Sequence, residues 1–326
     1  MHQISIRLLR LSLFGVILTS QTLGAAVDEQ AADTSTFAAA SEQRTDAESS
    51  GDGQTSKSSS ESCSPRYLLR YNLSDGDELR YLSEQTVHQK ALAPAGQKTD
   101  TTRVKQKRLF RVSESDGMTS KVSMQFEHVH MEIQSDDKEP EVFDSTMPRK
   151  EIPEKFRGIA GSLKGAAPVF VTRNDGTPVD EDGTESVPEG GQASFMMPLP
   201  AEEIAVGDSW KVFIPVKVRV AEGVMQEIRL LRTFKLKAVE DDVASISFST
   251  SVVTPVKSPA VKAQLLQATP SGQVDFNVAR GLVERREMKF DTTVLGALGP
   301  NTMLTATGKT VETLVSDEAE AAVSNR

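Results

Sequence analysis

From about residue 65 onward, apolar side chains in this chain return at every second position. Trp210, Val212, Ile214, Val216, Val218 and Val220 make one such row. Ile228, Leu230, Phe234 and Leu236 make another, with Arg229, Lys235 and Lys237 opposite. Ala244, Ile246, Phe248, Thr250 and Val252 alternate with Ser245, Ser247, Ser249 and Ser251. Met288, Phe290, Thr292 and Val294 alternate with Glu287, Lys289 and Asp291. Successive side chains of a strand point to opposite faces, so each pattern buries one face and wets the other. That is the signature of antiparallel sheet covered on one side.

Two short helices interrupt the ribbons. Ile152, Phe156, Ile159 and Leu163 fall at helical spacing, with Pro153 suited to a first turn and Gly165 and Pro168 to a stop. Ser258 is a candidate N-cap before Pro259, Val261 and Leu265 share a face, and Pro270 and Gly272 close the segment. Glycines 158 and 161 weaken the first helix by about 1 kcal/mol each relative to alanine, so it needs a sheet to lie on.

The order of elements occurs twice. Asp75-Gly-Asp-Glu-Leu79 opens one set and Val206-Gly-Asp-Ser-Trp210 the other. Each is followed by a strand, a basic alternating strand (103–112 and 227–239), a third strand (122–133 and 243–253) and the proline-initiated helix. A hairpin closes each set, at 169–179 and 274–283. The expected fold is therefore mainly antiparallel β with two short helices, arranged as two half-barrel-like β units at 65–197 and 198–316. A disordered segment precedes them and a flexible tail follows at 317–326.

The stretch Leu68–Tyr81, the Gly-Asp-Ser-Trp210 turn and the late Gly-Gln-Val-Asp-Phe276…Arg-Gly281 hairpin resemble a group of uncharacterised bacterial secreted proteins. Their arrangement is similar to the half-barrels of envelope lipoprotein carriers. The resemblance implies a curved antiparallel sheet around a helix, an envelope or secreted location, and handling of an apolar ligand. It carries no catalytic residues.

The first 26 residues read as a secretory signal peptide. Arg7 and Arg10 supply the positive start, Leu11–Leu18 the short apolar core, and Gly24-Ala25-Ala26 small residues for cleavage. Residues 27–64 hold eight acidic side chains (Asp28, Glu29, Asp33, Glu42, Asp46, Glu48, Asp52, Glu61) against Arg44 and Lys57, with Phe37 the only aromatic. So little apolar surface cannot offset chain entropy of roughly 1–2 kcal/mol per residue, and a disordered spacer is expected. Cys63, the only cysteine, lies too far past the apolar core for a lipid anchor and reads as an incidental thiol. The formal net charge of −9 argues against nucleic acid as partner, and no run of about 18 or more apolar residues marks a membrane span.

Candidate chemistry is sparse. His128, His130 and Glu132 can share a strand face and converge on a metal. However, the apolar parity of Val122, Met124 and Phe126 switches at Val129, Met131 and Ile133. A bulge near Glu127 explains that switch and puts both histidines on the wet face. Asp180, Asp182, Gly183 and Glu189 match part of a calcium loop, but Pro178 stands where the first carboxylate belongs, so a solvated acidic loop is expected. Arg103, Lys105, Lys107, Arg108 and Arg111 form a basic stripe that suits an acidic headgroup or, more simply, a wet strand face. Trp210 reads as a core plug.

No Gly-x-Ser-x-Gly elbow, His-Glu-x-x-His or glycine-rich phosphate loop is present, and there are only 4 histidines. The expectation is an exported, non-catalytic protein without a cofactor or metal. It holds an apolar or amphipathic ligand, such as a lipid, between sheet and helix. Phe126, Phe156, Ile214, Phe234, Phe248 and Leu265 are the candidate lining, and the same residues fill a closed core if no cavity exists. The alternative is a structural or interaction protein of the cell envelope.

Overall fold

The computed structural model describes residues 65–163, 165, 167–180, 183–185 and 196–315. The signal-like segment, the acidic spacer, Cys63, most of the acidic loop and the tail lie outside them. In chain order the strands are β1 (Arg66–Tyr67), β2 (Glu78–Ala93), β3 (Gly96–Ser115), β4 (Thr119–Ser135) and β5 (Glu141–Asp144). After them come α1 (Arg157–Ser162), β6 (Val169–Arg173), β7 (Pro178–Val179), β8 (Ile204–Ala205), β9 (Ser209–Ala221), β10 (Val224–Glu240) and β11 (Val243–Val252). The chain continues through α2 (Pro259–Gln264), β12 (Ser271–Asn277), β13 (Leu282–Leu295) and β14 (Met303–Val315).

The protein is mostly antiparallel β. The main sheet runs β7-β6-β4-β3-β2-β14-β13-β12-β11-β10-β9, with β5 added beside β4. The expected sets are thus halves of one sheet, joined where β2 pairs with β14 from Arg80↔Val315 to Leu92↔Met303. β7 and β9 end the order, and the sheet is not closed.

The two opening turns make matching hydrogen bonds. In the first half Gly76 N donates to Val112 O at 3.0 Å and Val112 N to Asp77 O at 3.0 Å. In the second, Gly207 N donates to Leu236 O at 2.9 Å and Leu236 N to Asp208 O at 3.0 Å. Asp77 Oδ2 accepts from Ser74 N (2.8 Å) as Asp208 Oδ2 accepts from Ala205 N (2.9 Å). A register shift follows in both halves, between Val112 and Glu114 and between Leu236 and Ala238. Gly76 and Gly207 take φ of 85° and 101°, a region that favours glycine, which is why the two opening turns share it.

The sheet curls. The β6–β7 and β12–β13 turns are separated by at least five strand spacings, roughly 24 Å in a flat sheet at about 4.8 Å per strand. Yet adjacent residues bridge them: Tyr71 N donates to Asn174 O at 2.7 Å and Asn72 N to Gly281 O at 3.2 Å. Leu69, Tyr71, Leu73, Met196, Met197 and Leu199 of the flanking segments are buried in the core the curl encloses. Tyr71 Oη accepts from Met197 N at 2.6 Å, and Trp210 Nε1 donates to Pro198 O at 2.9 Å. The main core gathers Tyr71, Tyr81, Phe110, Met197, Phe234, Phe248 and Phe276 from both halves. Trp210 packs against it and stacks on Phe234 at 5.1 Å, as a core plug should.

Each half has its helix, and both are shorter than the spacing suggested. The first begins as two 3-10 turns, Arg149–Glu151 and Glu154–Phe156, before α1. Ile152, Phe156 and Ile159 are buried against Val104, Val129, Met131 and Phe143 of β3 to β5. α2 begins with Pro259 in its first turn, while Ser258 makes no side-chain cap. Its Val261 and the following Leu265 pack on Val218, Ile228 and Leu230, and its Ala263 and the following Leu266 on Val294, Leu304 and Ala306. α2 therefore spans the inner face from β9–β10 to β13–β14.

Candidate functional site

Between the main core and the helix-covered clusters, the inner face carries charge. Ser83, Gln106, Arg108, Arg286, Thr310 and Glu312 are all buried. Antiparallel register places them: Arg286 on β13 faces Glu312 on β14, Glu312 faces Ser83 on β2, and Ser83 faces Gln106 on β3. Arg108 comes two residues further along β3, on the same face. Its guanidinium pairs with one Glu312 oxygen, and Arg286 Nη1 lies 3.6 Å from the other. Burial, then the charge of Arg286, pulls Arg108 down to about 10, with Tyr81 opposing. Burial also lowers Arg286. Tyr71 and Tyr81 are pushed well above the usual phenol range, chiefly by desolvation.

Arg232 on β10 completes the belt. It is half-buried, its Nε donates to Thr250 Oγ1 at 2.9 Å, and its guanidinium lies 5.2 Å from the Phe248 ring centroid. No carboxylate of the described residues pairs with it. Burial, then the charge of Arg286, brings it down to about 10, so it stays cationic at neutral pH. The belt thus combines three guanidinium groups and one carboxylate with the uncharged polar side chains of Ser83, Gln106 and Thr310. Chemically, a group richer in guanidinium than in carboxylate suits an anion.

The six residues expected to line a ligand site do not form one group. Phe126 and Phe156 belong to the cluster under α1, Ile214 and Leu265 to the cluster under α2, and Phe234 and Phe248 to the main core. Of these, Phe234 and Phe248 adjoin Arg232, with ring centroids 5.8 Å apart. The arginines were visible in the sequence as charges at apolar parity. Arg232 interrupts the row Ile228, Leu230, Phe234, Leu236, and Arg108 shares parity with Val104 and Phe110 rather than with Lys105 and Lys107.

On the outer face, the register shift between Lys107 and Arg108 sets the expected bulge at Glu127 and turns both histidines outward. His128 Nε2 and His130 Nδ1 lie 3.0 and 3.2 Å from Asp144 Oδ2, whose other oxygen accepts from Thr146 N and Oγ1. Among the described residues no group of three or more His, Cys, Asp or Glu is arranged to hold a metal ion. Burial raises the Asp144 carboxyl, but the Thr146 donors, His130 and the charge of His128 outweigh it, and the net shift is well downward. A depressed carboxyl stabilises the fold above its unfolded value near 3.8 and loses that contribution as pH falls. Asp144→Asn is accordingly expected to be less stable than wild type at pH 6, to keep most of that gap near pH 3, and to converge on wild type only at still lower pH, as the depressed carboxyl itself takes up its proton. A constant gap across that range would contradict this.

The basic stripe of β3 is neutralised by its neighbours. Lys105 pairs with Glu84 (3.0 Å), Lys107 with Glu127 (3.5 Å), Arg111 with Glu78 (2.7 Å) and Arg103 with Glu132 (3.6 Å). These four lie on a wet strand face, whereas Arg108, expected in the same stripe, is buried on the inner face because its parity is that of Val104 and Phe110. An open depression of about 410 Å³ on the sheet is lined by Thr86, His88, Lys289, Asp291, Thr307 and Lys309 among others. Both its lysines pair with Glu287, whose carboxyl those lysines and Arg285 bring down to about 2. No helix of the described residues is long and apolar enough to cross a membrane.

No protein family matches the chain, and no curated protein does. Among solved structures, an outer membrane channel from Pseudomonas putida F1 aligns over 75% of this chain and 97% of its own, with 8% identity and a TM-score of 0.21.

Proposed function

We propose that this is an exported, non-catalytic binding protein of the bacterial cell envelope that holds an amphipathic anion on the inner face of its curled sheet. Export is supported by the charged, apolar and small-residue succession of the first 26 residues. The observation that carries the binding reading is Arg232, a half-buried guanidinium that has the Thr250 hydroxyl and the Phe248 ring beside it and no carboxylate partner among the described residues. A buried cation is costly unless paired, and a carboxylate or phosphate there meets that need while Phe234 and Phe248 take the apolar part.

The test is native mass spectrometry of the protein purified without detergent from the envelope fraction, followed by titration with a fluorescent fatty acid. A bound acidic amphiphile is expected in wild type, at least tenfold weaker in Arg232→Gln. That variant keeps its fold, since it removes a desolvated charge. A wild-type protein that carries nothing and takes up no probe would end the proposal.

A further inference from the structure

The outer face of β9 and β10 differs from that of β3. Lys211, Lys217 and Arg219 on β9 and Arg229, Lys235 and Lys237 on β10 all point outward and are exposed. None of these six has an ion-pair partner among the described residues, although Glu227 stands opposite Lys217 in the register. Beside them are exposed apolar side chains. Phe213 is 52% exposed, and Val220, Val224 and Met225 at the hairpin tip are 40%, 50% and 55% exposed. Arg229 lies over the Phe213 ring at 4.4 Å, which keeps both at the surface. The tip turns through Glu222 and Gly223, the latter at φ 71°.

Backbone pairing at this edge is already blocked. Arg219 N and O are both taken by the Gln264 side chain of α2, at 2.9 and 2.7 Å. Backbone groups alternate in direction along a strand, so Pro215 points the same way and offers no N–H. An added strand would find a broken ladder, so the side chains rather than the edge make this surface.

We infer that the β9–β10 face docks on an anionic lipid surface. The six cations meet headgroup phosphates, and Val220, Val224 and Met225 enter the layer beneath them. A chain of net charge −9 keeps these cations unneutralised on one face, which is charge complementarity to an anionic layer. A soluble polyanion would match the cations but leave the tip's apolar side chains without a layer to enter. The inference uses none of the inner-face residues, so it stands or falls separately from ligand binding.

The test is co-sedimentation of the mature protein with vesicles of phosphatidylcholine alone and of phosphatidylcholine with one quarter phosphatidylglycerol. Binding is expected only to the anionic vesicles and lost near 1 M salt, where the screening length is about 3 Å. Lys217→Glu/Arg219→Glu/Arg229→Glu should weaken it at least tenfold. Val220→Ser/Val224→Ser/Met225→Ser, which keeps every charge, should weaken it several-fold. Lys105→Glu, on the paired β3 face, should leave it unchanged. Thermal unfolding of each variant confirms that it folds. Equal sedimentation with both vesicle types, indifference to the triple reversal, or retention on heparin without vesicle binding would each overturn the inference.

Discussion

Glu312→Gln is expected to cost the protein about 3–5 kcal/mol of unfolding free energy, the range for breaking a buried ion group from one side. Glu312 is 3% exposed and pairs with two buried guanidinium groups from different strands, Arg108 of β3 and Arg286 of β13. The amide keeps the size of the carboxylate, so no cavity forms and the loss is electrostatic. Two cations that desolvation already opposes would then face each other without their shared anion. Urea unfolding followed by tryptophan fluorescence suits the measurement, because Trp210 is the only tryptophan and packs on the main core. Replacing the whole group by Arg108→Met, Glu312→Leu and Arg286→Met should recover most of the loss, since an apolar substitute removes the desolvation cost along with the pairing. An unchanged midpoint in Glu312→Gln would show that the belt is solvated rather than buried.

The same belt shows how far the sequence could be read. Strand identity followed from parity alone, and so did the bulge at Glu127, because a parity switch within one strand has few physical causes. The duplicated opening turns were legible because Gly76 and Gly207 serve backbones that other residues strain to adopt. The belt was harder to read because a charge at apolar parity is a single deviation in a row of six or seven residues. Only register shows that Arg286 and Glu312 are neighbours while Arg108 reaches the same carboxylate from two strands away. The pairing of β2 with β14 joins the start of the described chain to its end, and no local pattern specifies it. The curl of the sheet likewise depends on residues 69–73 bridging two distant turns. That is why Phe126, Phe156, Ile214, Phe234, Phe248 and Leu265 fell into three clusters. Parity assigns a face, whereas closure decides which faces meet.

Gly272→Ala tests that closure where backbone meets backbone. Gly272 on β12 sits opposite Met288 on β13 and Phe248 on β11. A methyl group there would overlap the Glu287 carbonyl oxygen and come within 2.9 Å of its carbon and 3.1 Å of the Met288 Cα. All three are main-chain atoms of the paired strand, so relief requires β12 and β13 to separate. For Gly308→Ala the three nearest atoms all belong to the ring of Phe290, a side chain that can rotate away. Both changes add one methyl group to an inner-face strand, and only the neighbour's freedom differs. Gly272→Ala should therefore destabilise at the upper end of overpacking, about 3 kcal/mol, and Gly308→Ala by about 1 kcal/mol or less. Hydrogen exchange would localise the effect. Amides of β12 and of β13 near Glu287 should lose protection in Gly272→Ala while those of β2 and β3 keep theirs. Equal stability of the two variants would mean that β12 and β13 are less tightly paired than their register implies, and the β12–β13 turn that holds Asn72 would lose its support with them.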